Sequence, residues 1–125
     1  MRLSLLLIVL ACSFSGFSQE IKKKYLGGYS GEIPPYVLEV GQKVFEVRAA
    51  AIEIQLKPDG SLSEKIASKE VAGTYVFQKE DKHAIYLEVN LAGQFIPESY
   101  VLYKKEKRLE RKGIYPQPDV FLKKI

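Results

Sequence analysis

Apolar residues recur at every second position along almost the whole of this chain, and helical spacing is almost absent. In Ala50-Ala51-Ile52-Glu53-Ile54-Gln55-Leu56-Lys57, the residues Ile52, Ile54 and Leu56 point one way while Glu53, Gln55 and Lys57 point the other. That is the pattern of a strand with one face in a core. Pro58-Asp59-Gly60 follows, with proline presetting φ at the first corner of a turn and glycine taking the positive-φ position. Pairing Lys57 with Ser61 sets Leu56 against Leu62 and Ile52 against Ile66. On the other face it sets Glu53 against Lys65 and Gln55 against Ser63. Like meets like and opposite charges meet, as cross-strand pairs require. Glu64, facing Ile54, is the one misfit.

The same test organises the rest. Lys79-Glu80-Asp81-Lys82 is a polar tip between Val71–Gln78 and His83–Asn90. Pairing Gln78 with His83 sets Val76 against Ile85, Thr74 against Leu87 and Ala72 against Val89. Phe77 then faces Ala84, and Tyr75 faces Tyr86, on the opposite side. The small and branched set suits a barrel interior, which would leave Tyr75, Phe77 and Tyr86 as an outer patch. Gly41-Gln42 turns between Tyr36–Val40 and Lys43–Arg48, and Lys105-Glu106 turns between Ser99–Lys104 and Lys107–Gly113. An opening strand near Tyr25–Ser30 and a last strand Val120–Lys124 complete eight or nine short antiparallel strands. So few residues leave no helices to cover a sheet, and closure into a barrel, or a sandwich, removes exposed edges. Local hairpins in series predict an all-β, up-and-down barrel.

The N-terminus reads Met1-Arg2 and then Leu3-Ser4-Leu5-Leu6-Leu7-Ile8-Val9-Leu10-Ala11, with Gly16-Phe17-Ser18 downstream. One charge, a short apolar run and small residues at the end make a signal peptide over residues 1–18. The run is too short for the ~20 residues of a spanning helix. Val9-Leu10-Ala11-Cys12 also resembles a lipobox, so anchoring through Cys12 stands as the alternative to cleavage before Gln19. Cys12 is the only cysteine, and residues 19–125 therefore form a single all-β domain without disulfides. Loss of Arg2 takes 19 basic residues to 18 against 15 acidic ones, a net +3. That balance suits a soluble periplasmic or secreted domain and does not point to nucleic acid.

Tyr25-Leu26-Gly27-Gly28-Tyr29-Ser30-Gly31-Glu32-Ile33-Pro34, the Pro58-Asp59-Gly60-Ser61 turn and Gly73-Thr74-Tyr75-Val76-Phe77 together resemble the small lipocalin-like, calycin-type barrels of exported bacterial proteins. The resemblance implies a Gly-x-Tyr strand that opens the barrel, a Gly-Thr-Tyr strand in mid-sheet, and a binding role.

Motifs for catalysis are missing. Gly28-Tyr29-Ser30-Gly31 lacks the Gly-x-Ser-x-Gly spacing of a nucleophile elbow. His83, the single histidine, sits beside a charged hairpin tip. One histidine without a mature cysteine cannot make a zinc site, and Asp59, Asp81 and Asp119 lack calcium-loop spacing. Two features carry a binding hypothesis. The first is the basic run Lys104, Lys105, Lys107, Arg108, Arg111 and Lys112, a candidate surface for an anionic envelope component. The second is the set Tyr75, Phe77, Tyr86, Tyr100 and Tyr103, rings with polar handles in the central strands. The expectation is an exported, non-enzymatic binding domain for a protein partner or envelope component, with no cofactor. A carrier of a small apolar or amphipathic ligand, and an inhibitor or immunity-type protein, are the alternatives.

Overall fold

The computed structural model describes residues 21–125, Tyr115 excepted; the expected signal peptide, Cys12 and the expected cleavage before Gln19 lie outside the described residues. A short 3-10 turn, Lys23–Tyr25, leads into ten strands: β1 Gly27–Ile33, β2 Tyr36–Val40, β3 Lys43–Val47, β4 Ala50–Leu56, β5 Ser61–Ile66, β6 Lys69–Glu80, β7 Ala84–Leu91, β8 Glu98–Tyr103, β9 Arg108–Lys112 and β10 Val120–Lys124. Eight of them close a barrel in the order β1-β10-β9-β8-β7-β6-β5-β4. From β4 to β10 every strand pairs with the next in the chain. β1 completes the ring, pairing Tyr29 with Ile54 on one side and with Lys124 on the other. The expected all-β barrel is therefore present, with eight strands. β2 and β3 stand outside it as a separate two-stranded sheet inserted between β1 and β4.

The turn at Pro58 behaves as its chemistry requires. Gly60 takes φ +90°, the Lys57 amide donates to the Ser61 carbonyl at 2.9 Å, and every predicted pair of β4 and β5 is found, Glu64 opposite Ile54 included. The hairpins on either side of Gly41-Gln42 and Lys105-Glu106 are also found, with Leu38 facing Phe45 and Leu102 facing Leu109.

The β6–β7 hairpin is different. Tyr75 faces Val89 and Phe77 faces Leu87, with an irregularity between Phe77 and Lys79. The cause is Asp81, whose Oδ1 accepts the amides of His83 and Ala84, each at 2.8 Å. That capture places the turn at Lys82-His83 and lets β6 run on to Glu80, a register four residues from the expected one at the tip. The irregularity after Phe77 makes it three along the rest of the pair, an odd number, so the faces exchange there. Ile85, Leu87 and Val89 are interior as expected, but Tyr75 and Phe77 join them, while Val76 lies exposed outside.

The core is aliphatic through the middle, with Ile52, Ile54, Leu56, Leu62, Leu87, Leu109 and Leu122 all essentially inaccessible. Gly73 marks where β6 and β7 approach closely: a Cβ there would lie 2.5 Å from the Asn90 carbonyl oxygen. The two ends differ. At one, Ile21, Tyr25 and Leu26 pack on the core, and the Tyr29 hydroxyl donates to the Tyr25 carbonyl at 2.7 Å. At the other, the connections 34–49, 67–68, 92–97 and 113–119 gather around an opening.

Candidate functional site

Alternation brings charged side chains into the barrel at the open end. On β5 the interior positions are Leu62, Glu64 and Ile66; on β8 they are Glu98, Tyr100 and Leu102; on β9 they are Leu109 and Arg111. Glu64, Glu98, Arg111 and Tyr100 are each no more than 3% exposed. Arg111 grips Glu98 in a two-point contact, Nε to Oε1 at 2.9 Å and Nη2 to Oε2 at 3.0 Å. Its Nη2 also donates to Gln117 Oε1 at 3.0 Å and lies 3.3 Å from Glu64 Oε1. The Tyr100 hydroxyl donates to Glu64 Oε2. Arg111 Nη1 is buried without a hydrogen-bond partner among the described residues.

Two carboxylates thus share one guanidinium in a low-dielectric setting. Desolvation pushes the Glu64 carboxyl up to about 7, against the pull of Arg111, and Glu98 adds to the rise. Burial works against charge on Arg111 as well, but its hydrogen bond to Glu98 and the field of both carboxylates hold it above its ordinary value. Burial and then Glu64 push the Tyr100 hydroxyl up, so it remains a donor.

Above this network lies a cavity of about 240 Å3 lined by Glu64, Ile66, Lys69, Val71, Leu91 and Gln94. Ile66 and Val71 are partly buried and Leu91 is buried, which makes the wall apolar; Lys69 and Gln94 are exposed at the rim. Beside it a second, apolar hollow of about 240 Å3 is formed by Gln94, Phe95, Ile96 and Ile114, with the Phe95 side chain wholly exposed. Among the described residues no group of three or more His, Cys, Asp or Glu is placed to hold a metal.

Of the five aromatic candidates from sequence, only Tyr100 belongs to this site. Tyr75 is half-buried, and its hydroxyl donates to the Lys57 carbonyl; Phe77 packs on the core. Tyr86 and Tyr103 lie outside the barrel, donating to Asp81 at 3.1 Å and Glu110 at 2.8 Å. The basic run is divided by the same alternation that built it. Arg111 is not a surface cation at all but the buried hub. Arg108 lies over the rings of Phe121 (4.3 Å to the centroid) and Tyr103 (5.7 Å). Lys104 pairs with Glu80, and Lys112 reaches Glu110 at 3.1 Å. Lys105 and Lys107 are exposed at the turn. Glu64, Glu98, Lys69 and Gln94 were not among the sequence candidates, and the misfit at Glu64 was the available signal.

No family model matches the chain, and neither a curated protein nor a solved structure is found similar to it.

Proposed function

We propose that this is an exported, lipocalin-like binding domain that takes a small amphipathic ligand at the open end of its barrel. The observation that carries the reading is the cavity: three apolar walls over a buried carboxyl that retains acceptor capacity. Ligand sites are commonly mostly apolar with a few placed polar groups, and barrel mouths are one of their usual positions. The volume falls below the ~300 Å3 at which drug-sized pockets begin. It equals about eight water volumes at ~30 Å3 each, so the ligand has on the order of eight heavy atoms. Binding is favoured over catalysis because the elevated Glu64 carboxyl has no Ser, Thr, Cys or His beside it in the cavity wall. Export rests on the pattern of Met1–Ser18.

The test is a titration of isotope-labelled protein with short amphipaths of each charge type, followed by amide spectra. Saturable shifts confined to the cavity-lining residues, and lost on filling the cavity by Val71→Phe, are expected. Shifts spread evenly over the surface, or none for any member, would refute the reading.

One observation favours a second reading, docking of a protein partner. β2 and β3 form a two-stranded sheet of their own and expose Val37, Val40, Val44 and Phe45 at the same end as Phe95. Exposed apolar surface of that kind marks interaction sites. A photo-reactive group at position 44 should then give one discrete cross-linked species in the native host, and a smear of products would count against it.

A further inference from the structure

The charges of the buried network do not balance, and the imbalance faces the cavity. Glu64 and Glu98 bring two carboxylates to one guanidinium. Arg111 is held through Nε and Nη2 by Glu98 and through Nη2 by Gln117; its Nη1 has no partner among the described residues, but Arg111 does not line the cavity. Glu64 does line it. Its oxygens meet Arg111 and Tyr100, and Glu98 lies within hydrogen-bonding reach, while a carboxylate has about four acceptor positions in all.

We propose that the ligand is a small amphipathic amine, its ammonium on the Glu64 carboxylate and its hydrocarbon against Ile66, Val71 and Leu91. This rests on the reading of the cavity as a ligand site. An ammonium brings the buried charge to zero and uses the free acceptor positions. An anion would meet Glu64 first, because Glu64 lines the cavity and Arg111, with its unpartnered Nη1, does not. A neutral amphipath would leave the excess negative charge in place. The groups facing Glu64 are Arg111 from β9, Glu98 and Tyr100 from β8, and Lys69 at the start of β6. Arg111 and Lys69 oppose a cation, and the charge of Arg111 is met by Glu98. As for Lys69, it is exposed at the rim, where solvent and salt screen it, whereas Glu64 is buried.

Calorimetric titration of the purified protein with hexylamine, hexanol and hexanoate, matched in chain length, tests this. At pH 8 hexylamine should bind at least about tenfold more tightly than hexanol, as a charge-assisted contact implies, and hexanoate least well. Hexylamine affinity should rise by up to tenfold per pH unit below about pH 7 and level off above it, as Glu64 becomes ionised. Hexanol affinity should stay flat. Glu64→Gln should abolish the preference for the amine while leaving hexanol binding within about threefold; if that variant does not fold, the wild-type pH profiles still decide the matter. Hexanol or hexanoate binding more tightly than hexylamine would overturn the amine and leave the cavity reading intact. Failure of all three to bind would overturn both.

Discussion

Glu64 holds its proton more tightly in the barrel than in the unfolded chain, where a glutamate titrates near ~4.3. With the folded value raised to about 7, the native state binds the extra proton between those limits. Stability therefore falls as pH rises through that window and is flat above it. Chemical denaturation at pH 4.5 and pH 8 should show wild type losing on the order of 3 kcal/mol more than Glu64→Gln across that interval. Equal pH dependence of the two proteins would mean that Glu64 is not desolvated. This residue was legible in part: it is the only charge on the interior face of an otherwise well-matched hairpin. Glu98 carries the same mark, two positions before Tyr100 and four before Leu102 on the inner face of β8. Arg111 was hidden, because a cation inside a basic run has the local composition of a solvated hairpin. Its burial follows from its partners, Glu98 on the neighbouring strand and Glu64 on the distant β5.

At the scale of elements, short-range chemistry decided which hairpins could be read. The β4–β5 register follows from one proline, one glycine and the face pattern. Ile54→Ala should cost roughly 2–4 kcal/mol, as expected for a side chain with no exposure in a packed core. Glu53→Ala, opposite Lys65 on the outer face, should cost under ~1 kcal/mol. Denaturant midpoints check both, and an unchanged midpoint for Ile54→Ala would contradict the packing. The β6–β7 register was not readable, because a polar tip of four residues offers several turn positions. The choice was made by Asp81 accepting two amides and by the irregularity after Phe77. β2 and β3 were readable as a hairpin but not as one that leaves the barrel. A two-stranded sheet alone is marginal in water, and Tyr36 at its base packs on the core. Replacing 37–46 by Asn-Gly between the facing residues Tyr36 and Val47 should leave the melting temperature within a few degrees. A large loss would show that the projecting part supports the barrel.

For the whole molecule, the decisive event is closure. β1 pairs with β4 across the inserted hairpin and with β10 at the far end of the chain, so β10 removes the last two open edges. Gly31 lets the seam close, since a Cβ there would lie 2.8 Å from the Phe121 carbonyl oxygen. A chain ending at Asp119 would leave the edges of β1 and β9 unpaired and would uncover the core around Leu109. Such a chain should fail to give a dispersed amide spectrum and should aggregate; a soluble folded monomer would contradict closure as the source of stability.

Period-two alternation, turn chemistry and the scarcity of material for helices determined a small antiparallel barrel from the sequence alone, because each acts between residues close along the chain. The tertiary structure decided which hairpin stands outside, which face of β6 turns inward, and which charges meet. Those outcomes depend on desolvation and on contacts beyond a single hairpin: Arg111 on β9 meets Glu98 on the neighbouring β8, but Glu64 on β5 reaches Arg111 and Tyr100 only across the closed barrel. An alternating pattern places a charge on the inner face, but only the partner arriving from across the barrel settles whether burying it can be tolerated.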